Sequence, residues 1–204
     1  MAASHGIAFA KDRIYACSMA QCFDAYIMRI IGGIYKGHPI EVLKKFNGRP
    51  TTDFAREGLM NILYHMIDME GAHVLDLFSG TGALGLECAS RGGGHITSIE
   101  LQASHVMHIK KNHQKFQIKG TAIKADCLVW LKQNTTNFDL IIADPPFDLA
   151  QMTELPDLCL HHLKEDGLLV LEHGKEHTFE THGSFIKMKK FGHVHFSFFQ
   201  NSET

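Results

Sequence analysis

The chain has 204 residues, of which 45% are hydrophobic and 21% are charged, and this composition is typical of a soluble globular domain. It excludes a collagen-like, coiled-coil or intrinsically disordered chain. The formal net charge of -2 gives no general indication of nucleic-acid binding, so a polyanionic partner has to bind a local basic patch.

The amino-terminal part of the chain predicts an extension, an arm and a helix. Residues 1–27 show neither a helical nor a strand period, and we predict an extension there whose order the sequence does not define. From Met28 the stretch MRIIGGIYKGHPIEV alternates β-forming residues with glycine, which predicts a hairpin or extended β-arm. Thr51 or Thr52 can then cap a helix whose apolar residues recur at helical spacing. Arm and helix form a predicted unit over residues 28–70.

Residues 71–204 alternate between strand and helix patterns. The predicted elements are strand 73–77, helix 82–91, strand 95–100, helix 102–116, strand 121–125, helix 127–133, strand 138–143, helix 152–164, strand 167–172 and a closing hairpin of strands 184–190 and 193–200. Repeated β-α units imply a parallel sheet with right-handed crossovers and helices on both faces. Ligands of such sheets bind at the carboxyl ends of the strands. We predict one α/β domain over 71–204.

A glycine loop, GTGALG at residues 80–85, follows the first strand of this domain and has the G-x-G-x-x-G pattern. Glycine lets the backbone approach a ligand, and the helix that follows offers free N–H groups. Such loops occur in nicotinamide, flavin and S-adenosylmethionine (SAM) proteins. Asp76 stands four residues before the loop, where a carboxylate disfavours a pyrophosphate and suits a zwitterionic sulfonium ligand. The loop and Asp76 together favour SAM.

Two further acidic residues close the next two predicted strands. Glu100 follows the loop by about 20 residues, where a carboxylate can accept hydrogen bonds from both hydroxyls of a ribose. Asp126 ends the third strand, where its carboxylate can accept from an adenine amine while the Cys127 backbone meets the ring edge. Three acids in register behind a glycine loop predict a nucleoside-binding edge.

The loop Asp144-Pro145-Pro146-Phe147 follows the fourth strand and lies at the same predicted edge of the sheet. The two prolines fix the backbone and remove two N–H donors, so carbonyl groups are presented without competing donors. A carboxylate and a carbonyl that accept the hydrogens of an aromatic amine leave its nitrogen lone pair free to attack an electrophile. Phe147 can stack on the base. This loop predicts an amine-methylating site.

The segments MRIIGG (28–33), RPTTDFARE (49–57), LDLFSGTGALGLECASRG (75–92), Ile99-Glu100 and DPPF together resemble the RsmD family of small-subunit ribosomal RNA guanine-N2 methyltransferases. The resemblance covers most of residues 28–200. It implies a Rossmann-like, class I SAM-dependent methyltransferase fold with a seven-stranded, mostly parallel sheet whose last strand is antiparallel. It also implies a guanine of 16S rRNA as substrate, in an assembled or assembling small subunit.

The resemblance also assigns roles to residues. The residues implied to bind SAM are Asp76, Phe78, Gly80, Thr81, Gly82, Glu100, Asp126 and Cys127, with Thr51, Thr52 and Arg49 as lesser candidates in a segment over the SAM site. The residues implied to hold the target base for catalysis are Asp144, Pro145, Pro146 and Phe147. The chain departs from the family pattern in its extension and at Gly37-His38, where a glycine-arginine pair is expected.

Basic residues concentrate in two places, residues 28–57 and the predicted helix 102–116. The candidate RNA contacts are Arg29, Lys36, Arg49 and Arg56. Four histidines lie in or beside these segments, His38, His105, His108 and His113, and we expect them to strengthen RNA binding as the pH falls from about 7.5 to about 6.

Histidine pairs with metal-ligand spacing occur at 105/108 and 173/177, and without paired cysteines or an H-E-x-x-H motif we interpret them as surface histidines and expect no metal. Five unpaired-looking cysteines indicate a reducing compartment. No apolar run reaches the ~18 residues of a membrane span. We expect a cytoplasmic monomer whose partner is the small ribosomal subunit and which contacts no membrane.

Three alternatives remain open at this point. [ND]-P-P-[FYW] loops also serve adenine-N6 and protein-glutamine methyltransferases. A nicotinamide-dependent oxidoreductase uses the same type of glycine loop. A non-catalytic RNA-binding assembly factor could retain the fold without the reaction.

Overall fold

The computed structural model describes residues 28–40 and 51–201. The helices are α1 (Asp53–Leu63), α2 (Ala83–Ser90), α3 (Ala103–Lys115), α4 (Cys127–Gln133) and α5 (Leu155–Leu160). The strands are β1 (His73–Leu77), β2 (His95–Glu100), β3 (Gly120–Lys124), β4 (Phe138–Ala143), β5 (Leu163–His173), β6 (Phe185–Phe191) and β7 (Val194–Gln200). The predicted extension over 1–27 and the predicted contact Arg49 lie outside these described residues.

The seven strands form one sheet in the order β3-β2-β1-β4-β5-β7-β6. The first five strands of this order pair in parallel, and β7 runs antiparallel to both of its neighbours. The predicted sheet of seven mostly parallel strands with an antiparallel last strand is therefore confirmed. Because the chain order reverses between β1 and β4, the carboxyl ends of these two strands border the crevice where ligands bind in such sheets.

Alternate residues of each central strand face opposite layers of helices. In β4, Ile141 packs in the core beneath α4 and α5, whereas Leu140 and Ile142 pack in the core beneath α1 and α2. Strands that are buried on both faces read as continuous apolar runs, which explains the sequence FDLIIA of β4.

The amino-terminal arm folds back on itself and packs on the sheet domain. An isolated antiparallel bridge joins Arg29 to Pro39, as the predicted hairpin requires. Ile30 is fully buried in a small core with Leu86 of α2 and Phe116. The Ile31 N–H donates to the Glu87 carboxylate at 2.7 Å, which ties the arm to α2.

Helix α1 begins where the sequence predicts. The Thr52 hydroxyl accepts a hydrogen bond from the Ala55 N–H at 3.2 Å, and Asp53 lies in the first turn at the positive end of the helix dipole. Thr52 is thus a helix cap, and the neighbouring Thr51 is left to point toward the sheet edge.

The predicted helix 152–164 is wrong in length, because α5 covers only Leu155–Leu160 and β5 starts at Leu163. Pro156 lies in the first turn of α5 and is tolerated only there, so the helix cannot begin earlier. The preceding residues form turns, in which the Leu149 N–H donates to the Pro146 carbonyl. A register irregularity between Phe138 and Leu140 lets β5 extend further toward its amino end than its apolar run indicates.

No helix within the described residues is both long and apolar enough to cross a membrane.

Candidate active site

Acidic side chains from neighbouring strands meet at the carboxyl edge of the sheet. Asp76 lies in β1, directly between β2 and β4, and Glu100 ends β2. Asp126 follows β3, and Asp144 follows β4 with its N–H 3.3 Å from the Leu77 carbonyl of β1. Glu172 is the fifth, near the end of β5. The predicted strand-end acids are therefore brought to one edge.

The glycine loop is built around the Asp76 carboxylate. One Asp76 oxygen accepts from the Gly85 N–H at 3.3 Å, and a Cβ at Gly85 would lie only 3.0 Å from that oxygen. Gly82 caps α2 with a φ of +73°, a left-handed conformation that glycine adopts without strain. Burial raises the pKa of Asp76 to about 7, and the nearby Asp144 carboxylate adds to the rise. A cationic group bound here would restore the charged carboxylate.

Glu100 holds the start of the glycine loop. One of its oxygens accepts from the Gly80 N–H at 2.9 Å and the other accepts from the Gln102 N–H at 2.8 Å. Glu100 Oε1 also lies 3.4 Å from His105 Nδ1. A carboxylate offers about four lone-pair positions, so Oε2, which accepts from the Gly80 N–H, can still accept from a ribose hydroxyl. Glu100 therefore positions the loop and keeps acceptor capacity toward the ligand side.

The third part of the edge is the start of α4. The Asp126 carboxylate caps α4 by accepting from the Val129 N–H at 2.9 Å. The Cys127 thiol accepts from the Phe78 N–H at 3.2 Å, and burial raises the pKa of this thiol to about 12, so it stays protonated. Phe78 has a left-handed φ of 56°, held by this contact. The structure thus gives Cys127 a part in shaping the loop.

Two exposed apolar side chains beside these acids were not anticipated from the sequence. Leu101 directly follows Glu100 and is 62% exposed, and Val129 in the first turn of α4 is 52% exposed. Apolar side chains that stand next to hydrogen-bonding carboxylates suit the faces of a flat heteroaromatic ring. The signal in the sequence was the position of a leucine immediately after a strand-end acid.

The DPPF loop occupies the neighbouring position at the end of β4. Its turn is closed by the bond from the Leu149 N–H to the Pro146 carbonyl. Pro145 is buried whereas Phe147 remains 42% exposed, so its ring has a free surface on which a base can stack. The His177 ring contacts the Phe147 carbonyl at 3.2 Å and fixes the loop from the side of β5.

Asp144 forms a carboxylate pair that sequence reasoning missed. Thr51 Oγ1 lies 3.3 Å from Asp144 Oδ2 and 3.0 Å from Glu172 Oε2, and Glu172 is buried. Burial raises the pKa of both carboxyls, and the Asp144 charge raises that of Glu172 further, whereas hydrogen bonds from Thr51 and Glu172 partly lower that of Asp144. The pair therefore retains a proton near neutral pH. In the sequence, Glu172 could be noted only as the acidic residue at the end of the predicted strand GLLVLE (167–172).

The predicted RNA contacts do not form one group. Arg29 is 65% exposed beside Asp53 at 3.6 Å, and Lys36 is exposed in the arm. Arg56 is fully buried, where its guanidinium contacts Asp53 at 2.7 Å and Glu87 at 3.6 Å. Since Arg56 has no surface to offer an RNA strand, we do not retain it among the RNA contacts.

Two expectations about histidine are also corrected. His105 and His173 are buried, at 7% and 1% exposure, so they are not surface residues. Burial, assisted by His95, lowers the pKa of His113 to about 4, so this ring stays neutral over the range in which we expected it to gain charge. Within residues 28–40 and 51–201, no group of three or more metal-ligating side chains is placed to hold an ion.

The donor set of this edge fits SAM. A buried carboxylate of raised pKa suits an ammonium group, and Glu100 can accept from ribose hydroxyls. A dinucleotide would instead bring a pyrophosphate beside Asp76.

Comparison with known proteins places this site in context. A family model described as Conserved hypothetical protein 95 matches residues 28–200. The chain is 33% identical over 181 residues to a Buchnera aphidicola subsp. Baizongia pistaciae protein named "Ribosomal RNA small subunit methyltransferase D", a match that covers 85% of this chain and 92% of that protein.

Solved structures share the fold. The structure of yhhF from Escherichia coli is similar with a TM-score of 0.76 at 30% identity, covering 87% of this chain and 99% of that one. A T. thermophilus 16S rRNA N2 methyltransferase, RsmC, solved with AdoMet and guanosine, is similar in fold alone, with a TM-score of 0.61 at 22% identity over 74% of this chain and 44% of that one. The predicted Rossmann-like methyltransferase fold is confirmed.

Proposed function

The chain belongs to the family described as Conserved hypothetical protein 95, the RsmD family, and from this membership we propose that it transfers a methyl group from SAM to the exocyclic N2 amine of a guanine in small-subunit (16S) rRNA. The substrate is the assembled or assembling 30S particle. The protein acts as a monomer in the cytoplasm.

The observation that carries this proposal is the position of Asp144 next to the SAM edge. The Asp144 N–H bonds to the Leu77 carbonyl of β1, the strand that bears Asp76. An amine held by Asp144 and an electrophile held over β1 are therefore neighbours across one strand spacing, roughly 5 Å. Holding two reactants next to each other in this way can lower the barrier of a reaction between two molecules substantially.

The residues of the edge have separate roles in binding. Asp76 would accept from the SAM amino group, Glu100 would accept from the ribose hydroxyls, and Asp126 would accept from the adenine amine. Gly80, Thr81 and Gly82 let the backbone approach, and Phe78 and Cys127 shape the loop behind it. Bound SAM supplies a methyl group on a cationic sulfur that is already activated as a leaving group.

The DPPF loop prepares the nucleophile. The Asp144 carboxylate and the Pro145 carbonyl accept the two hydrogens of the amine, which directs the nitrogen lone pair away from the ring and toward the methyl group. Phe147 stacks on the base, and Pro146 keeps the turn rigid.

The carboxylate pair receives the proton that the amine loses. When the new N–C bond forms and the S–C bond breaks, the nitrogen becomes positively charged and transfers a proton to Asp144. Asp144 can accept it because Thr51 and Glu172 hydrogen-bond its carboxylate form. Burial raises the pKa of Asp144 toward neutrality, which improves it as a proton acceptor.

The basic amino-terminal arm contributes to RNA binding. Arg29 and Lys36 present side chains to solvent on the arm that packs over α2. Contacts of this kind to phosphate fix the orientation of the RNA and carry no base preference. Base choice then rests with the DPPF loop.

The deciding experiment maps the methyl group. Labelled SAM is supplied with small subunits, deproteinised 16S rRNA and DNA from a strain without the gene, and the labelled nucleoside is identified. We expect N2-methylguanosine at one site of 16S rRNA. Label on adenine N6 or on protein glutamine would contradict the proposal, as would calorimetry in which NAD(H) binds and SAM does not.

The role of Asp144 is tested by substitution. Asp144→Ala should lower methyl transfer roughly 100- to 1,000-fold while SAM binding persists, because only the amine contacts are lost. Asp148→Ala, at an exposed position of the same loop, is the matched control and should keep wild-type activity. Equal activity of the Asp144 variant and wild type would remove the assigned role.

A further inference from the structure

A cavity of about 180 Å³ lies between β5, β6 and β7, at the same edge of the sheet as the proposed active site. In the part of the chain that the structure describes, its charged and titratable lining is mainly basic and comprises His173, Lys175, His177, Lys190 and His195, together with the acid Glu180. Hydroxyl groups of Thr178 and Ser197 also line it. The cavity therefore offers point charges together with neutral hydrogen-bond donors.

The cavity borders the proposed base-binding loop. His173 directly follows Glu172 in β5 and pairs in register with His195 of β7, and His195 pairs with Lys190 of β6. Adjacent strands lie ~4.8 Å apart, so β7 is two spacings, roughly 10 Å, from β4 and its Asp144 loop. His177 joins the two places, since its ring also contacts the Phe147 carbonyl.

The hydrogen bonds of His173 allow the Ser197 hydroxyl to become a free donor in the cavity when the His173 ring is protonated. The Gly174 carbonyl can only accept, so the His173 Nδ1 at 2.8 Å carries a hydrogen. In the neutral ring, Nε2 then accepts from the Ser197 hydroxyl at 2.8 Å. If the ring gains a proton, Nε2 donates to Ser197, and the Ser197 hydrogen becomes free to point into the cavity.

Basic groups are crowded in the cavity, and the acids Glu176 and Glu180 offset them only in part. Burial and then the neighbouring His195 and His177 lower the pKa of His173, and burial and then Lys190 lower the pKa of His195. Glu176 opposes both effects, and Glu180 is the acid in the lining. An anion placed among these groups would relieve the repulsion and favour both protonated rings.

We propose that this cavity binds a backbone phosphate of the rRNA next to the target nucleotide, held by Lys190, His195 and Ser197. The inference rests on the proposed function, because the phosphate belongs to the strand whose guanine enters the Asp144 loop. The acidic loop disfavours a phosphate and the basic cavity attracts it, so the two sites fix which part of the nucleotide enters which site.

Kinetics on small subunits test this inference. Lys190→Gln should raise the KM for subunits roughly three- to tenfold while kcat at saturation stays within about twofold, because a phosphate contact strengthens binding. The logarithmic salt dependence of binding should fall by about 0.7 to 0.9, the value for one released counterion. His195→Gln should act in the same direction.

Lys189→Gln is the matched control. Lys189 is exposed on the same strand as Lys190 but pairs with Phe196, on the opposite face from the cavity. Lys189→Gln removes the same charge from the molecule as Lys190→Gln. If the cavity binds the phosphate, the KM for subunits must therefore be clearly higher for Lys190→Gln than for Lys189→Gln. Equal KM values for both variants would overturn the inference.

A phosphate titration gives a readout that does not depend on methylation. Inorganic phosphate should shift the ring nitrogen resonances of His173 and His195 in the wild-type protein and in Lys189→Gln, but not in Lys190→Gln. Absence of a shift in the wild type would overturn the inference. Wild-type protein that leaves small subunits unmethylated would contradict the proposed function, and the titration would still decide whether the cavity holds an anion.

Discussion

Burial sets the charge of the carboxyl groups at this site, residue by residue. Burial raises the pKa of Asp76, Asp144 and Glu172, and both oxygens of Glu100 accept hydrogen bonds from backbone N–H groups. The three carboxyl groups of raised pKa can therefore change their protonation state when a cation or a proton binds. Glu100 serves as a fixed acceptor.

Asp76→Asn should make the protein without ligand more stable at high pH. The unfolded chain ionises Asp76 at about pH 4, and the folded protein ionises it at about pH 7, so wild-type stability falls as the pH rises through this window. Relative to wild type, the variant should gain about 2 kcal/mol of unfolding free energy between pH 5 and pH 8. Urea denaturation at both pH values measures it.

Asp166→Asn, an exposed carboxyl, is the control for Asp76→Asn and should leave the pH dependence unchanged. Calorimetry should also show weaker SAM binding by Asp76→Asn, because the carboxylate proposed for the amino group is gone. A variant whose stability falls with pH as steeply as that of wild type would contradict the assigned burial effect.

Glu172 is a positioning residue whose effect should be visible in the pH profile. Glu172→Met keeps the volume but removes the hydrogen bond to Asp144, so the pKa of Asp144 should rise and kcat/KM at pH 7 should fall roughly tenfold. The acidic limb of the profile should move to higher pH. Glu172→Gln retains a donor and should restore most activity, and an identical profile for both variants would argue against this role.

Individual residue roles were only partly predictable from the sequence. Asp76, Glu100 and Asp144 could be identified because each ends an apolar strand, and strand ends meet at one edge. Glu172 ends an equally apolar strand, but its pairing with Asp144 depends on the β4–β5 register, which contains an irregularity that no local pattern reveals. Arg56 carries a charge typical of surfaces, and only tertiary packing shows its ion pair with Glu87.

At the scale of elements, the ends of helices and strands follow the sequence where local signals, such as acidic or capping residues, are strong. The positions of β1, β2, α4 and β4 agree with their predictions because apolar runs end at acids or capping residues. Between Phe147 and Leu163 the sequence is apolar at helical spacing, yet turns and Pro156 restrict the helix to Leu155–Leu160. Tertiary pairing with β4 then draws residues 163–166 into β5.

Gly82→Ala tests the junction between the glycine loop and α2. Gly82 has a φ of +73°, and an added Cβ would lie 2.9 Å from the Ile109 side chain of α3. We expect a loss of about 1 to 3 kcal/mol in unfolding free energy and weaker SAM binding. Gly183→Ala, where the Cβ meets nothing within 4 Å, is the control, and equal effects of both changes would contradict the assigned strain.

At the scale of the whole molecule, a buried ionic cluster joins three separate parts of the chain. Arg56 of α1 contacts Glu87 of α2 and donates to the Arg29 carbonyl in the arm at 3.0 Å. Glu87 also pairs with Arg91 and accepts from the arm. The arm is thus held by polar contacts as well as by its apolar residues, and the charged side chains that hold it, Arg56 and Glu87, are fully buried.

Arg56→Met should lower the unfolding free energy by about 3 kcal/mol, because Glu87 loses a partner while it stays buried. The double variant Arg56→Met with Glu87→Leu should regain part of that loss. Arg29→Met, at an exposed ion pair, should cost no more than about 1 kcal/mol. Additive losses in the double variant, measured by urea denaturation, would show that the two side chains do not interact.

The sheet order also has a consequence for how the protein behaves at high concentration. Among residues 28–40 and 51–201, β6 is the last strand on its side of the sheet, and no strand of this part of the chain pairs with its outer row of backbone N–H and C=O groups. Such an edge can template pairing with another copy. β6 carries Lys187, Lys189 and Lys190, and stacking two copies of this strand would bring like charges together. The lysines of FIKMKKF therefore oppose edge-to-edge aggregation of a sheet that is otherwise rich in aggregation-prone apolar strands.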